Sequence, residues 1–200
     1  MIVRNGLFVS LGILALLSSC QPASLPAQGL AAYVVDPAHE LRQVQQVGEL
    51  EVGVTYQPVD LLAARELPEF ITRQAALDSL RDKYRGSTFF LLSIARNGRE
   101  VLQPGEGFSQ YSDLLQTLSF RMGDYVRLIT SRGDTLRPTN YYLDRTYASA
   151  GASQLLFAFP AVPATGTWRF QLRECGLGTG NLAFPFDAQR VYEVPVLALN

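Results

Sequence analysis

The sequence predicts a mainly β protein, an antiparallel β-sandwich (immunoglobulin-like or similar) with one or two covering helices. Two segments alternate between apolar and polar residues, and candidate strands recur about every ten to fifteen residues with Gly and Pro between them. This spacing is typical of antiparallel sandwiches. A doubly wound α/β fold is disfavoured because helices do not alternate with the strands.

The two clearest strands are Glu49–Tyr56 and Thr167–Glu174. In the first, each even-numbered residue is apolar; in the second, Trp168, Phe170 and Leu172 alternate with polar residues. Because successive side chains of a strand point to opposite faces, this pattern predicts strands buried on one face.

Ser87–Ala95 is apolar on both faces, so we expect a central strand. Asn97-Gly98 follows directly, and this pair favours positive φ in a two-residue turn, which predicts a hairpin returning through Glu100–Leu102. Further strands are predicted at Tyr125–Thr130, Tyr141–Tyr147, Leu155–Phe159 and Val191–Leu197.

Two segments have helical periodicity. The first is Pro68–Arg85, with Gly86 placed to end it; the second, shorter one is Gln110–Leu118. Neither has a basic polar face, so we expect both to pack on the sheets, where they would cover exposed strand edges.

The first twenty residues have the features of an export signal. Arg4 provides a short positive region, and Leu7–Leu17 forms an apolar run too short for a membrane-spanning helix, which needs roughly 20 residues. Small residues and a cysteine follow. The sequence Leu17-Ser18-Ser19-Cys20 resembles the lipobox of bacterial lipoproteins.

This resemblance implies that residues 1–19 are a lipoprotein signal peptide and that lipidated Cys20 is the first residue of the mature chain. Residues 20–32 are uncharged and contain two prolines and a glycine, so they are interpreted as a flexible tether. A single domain is predicted over 33–200. We expect a bacterial envelope protein, lipid-anchored and periplasmic or surface-facing; the lack of an acidic run after Cys20 favours the periplasm.

Composition argues against several functional classes. The chain of 200 residues has 17 Lys+Arg, 18 Asp+Glu, one His and two Cys. Its net charge of −1 does not favour nucleic-acid binding, which uses a clustered basic surface. One histidine and two cysteines disfavour a protein-built zinc site or a thiol–imidazole enzyme.

No catalytic motif is present: the sequence contains no G-x-S-x-G, H-E-x-x-H or P-loop pattern. His39 lies at the edge of the tether, so Asp36, His39 and Glu40 are interpreted as a solvated loop rather than metal ligands. We therefore assign no catalytic residue, metal or cofactor.

Three other features have ordinary structural explanations. The stretch Gly176–Gly180 departs from the dinucleotide fingerprint and precedes no helix, so we expect a loop and no nucleotide. Arg132-Gly133-Asp134 has the composition of a turn between strands. Cys175 is interpreted as a small buried residue, and no disulfide is expected once Cys20 is lipidated.

Tyr141, Tyr142 and Tyr147 are the candidate ligand or partner patch. If their strand is regular, either Tyr141 or Tyr142 must face outward. Exposed aromatic rings can stack on sugars or form a protein-binding surface.

We therefore predict a non-catalytic interaction or assembly module of the envelope, with an envelope protein or a glycan as partner. A carbohydrate-binding module is the first alternative. A carboxylate-dependent polysaccharide hydrolase is the second, and it would require two acids about 5–9.5 Å apart across one cleft.

The lipoprotein hypothesis predicts the mass of the protein purified from its native host. The chain should begin at Cys20 and carry a diacylglycerol thioether, because signal removal and lipidation both occur at that cysteine. An intact and unmodified amino terminus in the mass spectrum would refute the hypothesis.

Overall fold

The computed structural model describes residues 23–67, 74–102, 108–144 and 151–199. The predicted signal peptide, Cys20 and Tyr147 lie outside these ranges. No helix within them has the length and apolar character needed to cross a membrane.

The described residues form short helices and strands. The strands are β1 (Ser24–Leu25), β2 (Arg42–Val47), β3 (Leu50–Gln57), β4 (Ser87–Arg96), β5 (Arg99–Glu100), β6 (Val126–Ile129), β7 (Thr135–Leu136), β8 (Asn140–Asp144), β9 (Ser153–Pro160), β10 (Thr167–Leu172), β11 (Leu182–Asp187) and β12 (Val196–Leu197). The helices are α1 (Ala27–Val35), α2 (Val59–Glu66), α3 (Gln74–Tyr84), α4 (Phe108–Gln116), α5 (Met122–Tyr125) and α6 (Ala188–Tyr192), with a 3-10 turn at Pro37–His39 and a π-helical turn at Thr117–Arg121.

Two antiparallel sheets and one short ribbon contain these strands. The large sheet has the order β2-β3-β4-β9-β8, with β5 added to the end of β4, and the small sheet has the order β11-β10-β6-β7. In the ribbon, β1 pairs in parallel with β12. The predicted mainly β class with antiparallel sheets and a few helices is confirmed.

Phenylalanine rings connect the two sheets. Phe90 on β4 lies 5.6 Å from Phe170 on β10 and 5.0 Å from Phe186 on β11, between ring centroids. Phe157 on β9 lies 5.9 Å from Phe170. All four side chains are buried, and burying one Phe stabilises the fold by about 1.5–3 kcal/mol. These contacts define the inner face of each sheet.

Several predicted strands are confirmed. β4 is central, since β3 and β9 pair on either side of it. Asn97 and Gly98 both have positive φ, 51° and 72°, as the predicted two-residue turn requires. In β10, Trp168 and Phe170 are buried on one face as expected.

The prediction that β3 is buried on one face only is wrong. Gly53, Thr55 and Gln57 are buried although they alternate with the apolar residues. Helix α1 packs against β3, and α2 follows it directly in the chain, so part of the second face is covered as well.

The strand predicted at Val191–Leu197 is also wrong over most of its length. The Asp187 carboxylate accepts a hydrogen bond from the Gln189 backbone N–H at 2.8 Å and caps α6, which continues through Tyr192. Within this segment, Val196 and Leu197 form a strand.

Helix α1 begins inside the segment predicted to be a tether. Residues 23–32 contain β1 and most of α1, and Leu30 is fully buried, as is Val34 after it. Residues 23–32 of the predicted tether therefore contain secondary structure and contribute to the core. Uncharged, small residues predict a linker, and only tertiary contacts show which of them are packed.

Both predicted helices are present in part. α3 covers Gln74–Tyr84, and Gly86 follows it with a φ of 87°, while residues 68–73 lie outside the described ranges. α4 begins at Phe108, and the helical backbone continues through the π-helical turn into α5, past the predicted end at Leu118.

An ion pair joins α2 and α3 to the C-terminal ribbon. Arg81 donates two hydrogen bonds of 2.7 Å to the two carboxylate oxygens of Asp60. Asp60 Oδ2 also accepts the Leu197 backbone N–H at 2.6 Å. Burial by itself would raise the pKa of Asp60, but the hydrogen bonds from Arg81 and Leu197 outweigh it and lower the pKa.

This ion pair predicts a stability that depends on pH. Because the pKa of Asp60 is lower in the folded state, its stabilisation is complete above the unfolded value of about 3.9 and is lost as pH falls through the folded pKa. Asp60→Asn should lower the free energy of unfolding at neutral pH by about 1–3 kcal/mol. Urea unfolding at several pH values measures both effects.

The control is Asp113→Asn, at an exposed position on α4. This variant should match the wild type at neutral pH. An Asp60→Asn variant as stable as the wild type at neutral pH and equally sensitive to acid would contradict the prediction.

Candidate functional site

The strongest candidate site lies on the outer face of the large sheet, the face that points away from the small sheet. Cross-strand pairing places one row of side chains on this face, running from Arg42 through Thr55, Leu91 and Leu156 to Tyr142. Leu91 and Leu156 are half-buried. The row therefore combines a cation, a hydroxyl, two apolar side chains and an aromatic ring.

A neighbouring row on the same face is closely packed around a serine. It includes Gly53, Ser93 and Gln154, which are cross-strand partners. A Cβ atom at residue 53 would lie 2.6 Å from Ser93 Oγ, so the glycine makes room for that side chain. Ser93 Oγ donates to the Gly53 carbonyl at 3.3 Å.

Helices α1 and α2 border this face and produce a groove of about 380 Å³. The strands supply much of its polar lining, and the helices supply apolar walls. The groove is lined by Ala31, Val34 and Val35 of α1, Leu61 and Arg65 of α2, Arg42 of β2, Glu51, Thr55 and Gln57 of β3, Leu91, Ser93 and Ala95 of β4, and Gly98, Gly151, Ala152 and Gln154.

Both charge signs are present in the groove. Arg42 Nη2 lies 3.8 Å from Glu51 Oε1, and both side chains remain partly exposed. Arg65 donates a hydrogen bond of 3.3 Å to Gln57 Oε1, which positions that buried amide. The groove can therefore offer hydrogen-bond donors and acceptors beside apolar surface, which is the usual composition of a binding site.

The structure separates the predicted tyrosines. Tyr142 faces outward with 65% of its surface exposed, on the same face as the groove. Tyr141 faces inward, stacks on Phe157 at 5.3 Å, and its hydroxyl accepts the Met122 backbone N–H at 3.2 Å. Burial raises the pKa of Tyr141. Tyr147 lies outside the described residues, so Tyr142 is the member of the patch seen to be accessible.

The glycine-rich loop 176–180 encloses a carboxylate of the protein itself. Glu174 Oε1 accepts the backbone N–H groups of Gly176, Leu177 and Gly178 at 2.7, 2.8 and 3.0 Å, and Oε2 accepts that of Gly180 at 2.6 Å. The three glycines have positive φ, which directs successive amides toward one anion. The amides of this loop thus bind a carboxylate of the same chain, whereas those of a phosphate-binding loop bind a ligand.

Burial by itself would raise the pKa of Glu174, but the backbone hydrogen bonds outweigh it and lower the pKa. Cys175 is buried next to this carboxylate, and burial together with the Glu174 charge raises its pKa to about 11. A thiol with such a pKa is protonated at neutral pH and is a poor nucleophile.

His39 has a structural role. Its ring stacks on Tyr33 at 3.5 Å, and Nδ1 lies 3.0 Å from the Tyr33 carbonyl oxygen. Asp36 caps the adjacent 3-10 turn by accepting the Ala38 backbone N–H. Across the described residues, no three His, Cys, Asp or Glu side chains are arranged to hold a metal ion.

Arg132-Gly133-Asp134 lies in the turn between β6 and β7. Gly133 has a φ of 87°, and the Thr130 backbone N–H donates to the Asp134 carbonyl at 2.9 Å. These contacts agree with the interpretation of this tripeptide as a turn.

The groove was missed by the sequence analysis because its residues come from six separate elements. β2 has the sequence RQVQQV, in which only two residues are apolar, and it lacks a clear strand signal. Its place is set by pairing with β3 and by a hydrogen bond from Gln45 Nε2 to the Ala183 carbonyl at 2.8 Å.

In comparisons with known protein families, characterised proteins and solved structures, no match to this chain is found.

The Glu174 loop leads to a prediction about backbone protection. Glu174→Gln leaves one carbonyl oxygen in place of two carboxylate oxygens and removes the negative charge, so amide hydrogen exchange at 176–180 should accelerate. The wild-type loop should lose the same protection as pH falls through the lowered pKa of Glu174. Hydrogen exchange followed by NMR measures each amide separately.

Glu193→Gln is the matched control, since Glu193 is a half-exposed carboxylate outside the loop. It should leave exchange at 176–180 unchanged. Equal exchange rates in the wild type and Glu174→Gln would show that the carboxylate does not hold the loop.

Proposed function

We propose that this protein is a lipid-anchored component of the bacterial cell envelope, periplasmic or surface-facing, whose β domain is a non-catalytic binding module. The anchor is inferred from the lipobox-like sequence ending at Cys20. In this proposal, the partner is an envelope protein, a segment of which occupies the groove on the outer face of the large sheet.

We also propose that the two antiparallel sheets form a β-sandwich. The aromatic contacts of Phe90 with Phe170 and Phe186 support face-to-face packing, since two stacked sheets share one apolar core. An immunoglobulin-like strand arrangement stays a prediction.

The lining of the groove is the observation that carries the binding proposal. Apolar side chains, such as those of Val35 and Leu91, line the groove together with amides and hydroxyls, including those of Gln154 and Ser93. Protein interfaces have this mixed character. Val35 is 48% exposed and lies at the groove wall, where a partner could cover it.

A carbohydrate-binding module is the second candidate, and Tyr142 is the observation that favours it. This exposed ring lies at the end of the row that begins at Arg42, and an aromatic face can stack on a sugar. Among the described residues, none that lines the groove is aromatic, so a protein partner fits the groove better.

The groove gives less support to a polysaccharide hydrolase. A pair of carboxylates across one cleft is needed for that chemistry. Among the described residues that line the groove, Glu51 is the sole carboxylate, and Arg42 lies next to it.

The binding proposal predicts different effects for two adjacent residues of α1. Ala31 and Ala32 are both exposed, but only Ala31 lines the groove. Ala31→Arg should place a long charged side chain in the groove and weaken partner binding by about tenfold or more, equivalent to ~1.4 kcal/mol. Ala32→Arg should leave binding unchanged.

The partner would first be identified in native membranes with a photo-crosslinking residue at Gln154, in the groove. The same residue at Gln116, an exposed position on α4, identifies non-specific neighbours. Binding of the purified partner to the two arginine variants is then measured by calorimetry. Equal affinities for Ala31→Arg and wild type would overturn the proposed site.

A further inference from the structure

The start of the described chain lies very near the proposed lipid anchor. Three residue steps separate Cys20 from Ala23, and they can span at most about 10 Å even when fully extended. Ser24 and Leu25 are already paired with Val196 and Leu197. A lipid on Cys20 would therefore hold the β1–β12 ribbon close to the bilayer surface.

The chain next to the anchor carries no charge. Between Arg4 and Asp36 there is no Asp, Glu, Lys or Arg, and Ala23, Ser24, Ala27 and Gln28 are exposed. Moving a charged side chain out of water is costly. An uncharged surface can approach lipid headgroups without that cost.

One exposed apolar side chain belongs to the ribbon, and one exposed aromatic side chain precedes β12 by four residues. Tyr192, at the end of α6, is 81% exposed, and Val196, the pairing partner of Ser24, is 38% exposed. Tyrosine is favoured at membrane interfaces, where its ring contacts apolar material and its hydroxyl remains hydrated. Arg190 and Glu193, on either side of Tyr192, form an ion pair at 3.9 Å.

We propose that the β1–β12 ribbon, with Tyr192 and Val196, lies against the headgroup layer of the leaflet that holds the Cys20 lipid. This inference rests on the proposed lipid anchor. Helix α1 follows β1 directly and also forms a wall of the groove. In this orientation, α1 connects the ribbon at the membrane surface to the groove, in which a partner from the same leaflet would bind.

The orientation can be tested with two tryptophan variants of matched exposure. Tyr192→Trp adds a fluorophore beside the ribbon. Phe120→Trp adds one at a residue that is 79% exposed, in the π-helical turn next to β8. β8 is three strands away from β3, the strand on which α1 packs. The native Trp168 is buried, and the wild-type chain measures its constant background.

Each variant is studied in phosphatidylcholine vesicles with brominated acyl chains, which quench nearby tryptophan, and in unbrominated vesicles. One preparation is membrane-purified protein whose N-terminal mass has been measured. In the other, the chain from Cys20 to Asn200 is coupled through the Cys20 thiol to a maleimide phospholipid, while Cys175 is protected by burial.

We expect the added emission of Tyr192→Trp to shift to shorter wavelength and to be partly quenched in brominated vesicles, while that of Phe120→Trp stays unchanged. Equal quenching of both variants, or of neither, would overturn the orientation. A blue shift without quenching would also overturn it, since a second copy of the chain would then cover Tyr192. An unacylated mass in the first preparation would refute the anchor itself, while the coupled preparation would still decide the orientation.

Discussion

The contact of phenylalanine rings between the two sheets is the constraint on which the rest of the structure depends. Phe90 lies at its centre and contacts Phe159 on its own sheet as well as Phe170 and Phe186 on the other. These rings occupy the inner face of the large sheet. Its outer face is therefore left for helices to cover or for solvent to reach. The groove is the part of that face which α1 and α2 border but do not fill.

The two ends of the described chain stabilise the same region. Asp60 connects α2 and α3 to Leu197, and β12 in turn pairs with β1 at the start of the chain. Helix α1 buries Leu30 in the core and directs Ala31 toward the groove. In the function that we propose, the ribbon at the membrane and the groove that binds the partner are therefore connected by helix α1.

The glycine-rich loop shows how a motif can have the right local geometry and a different ligand. Gly176, Gly178 and Gly180 adopt positive φ and converge their amides on an anion, as they would around a phosphate. That anion is the Glu174 carboxylate. The spacing of the glycines predicted a loop, but their partner precedes them in sequence and could be recognised only in three dimensions.

The sequence alone predicted the strand β10, the turn at Asn97-Gly98 and the end of α3 before Gly86. Each of these depends on the alternation of apolar and polar residues, or on a positive φ, within a few residues. The sequence also contains the whole basis of the proposed anchor at Cys20. Tertiary structure decided the packing of α1, the burial of Gln57 and the groove. These depend on contacts between segments far apart in the chain, and uncharged or polar residues do not show by themselves whether another element will cover them.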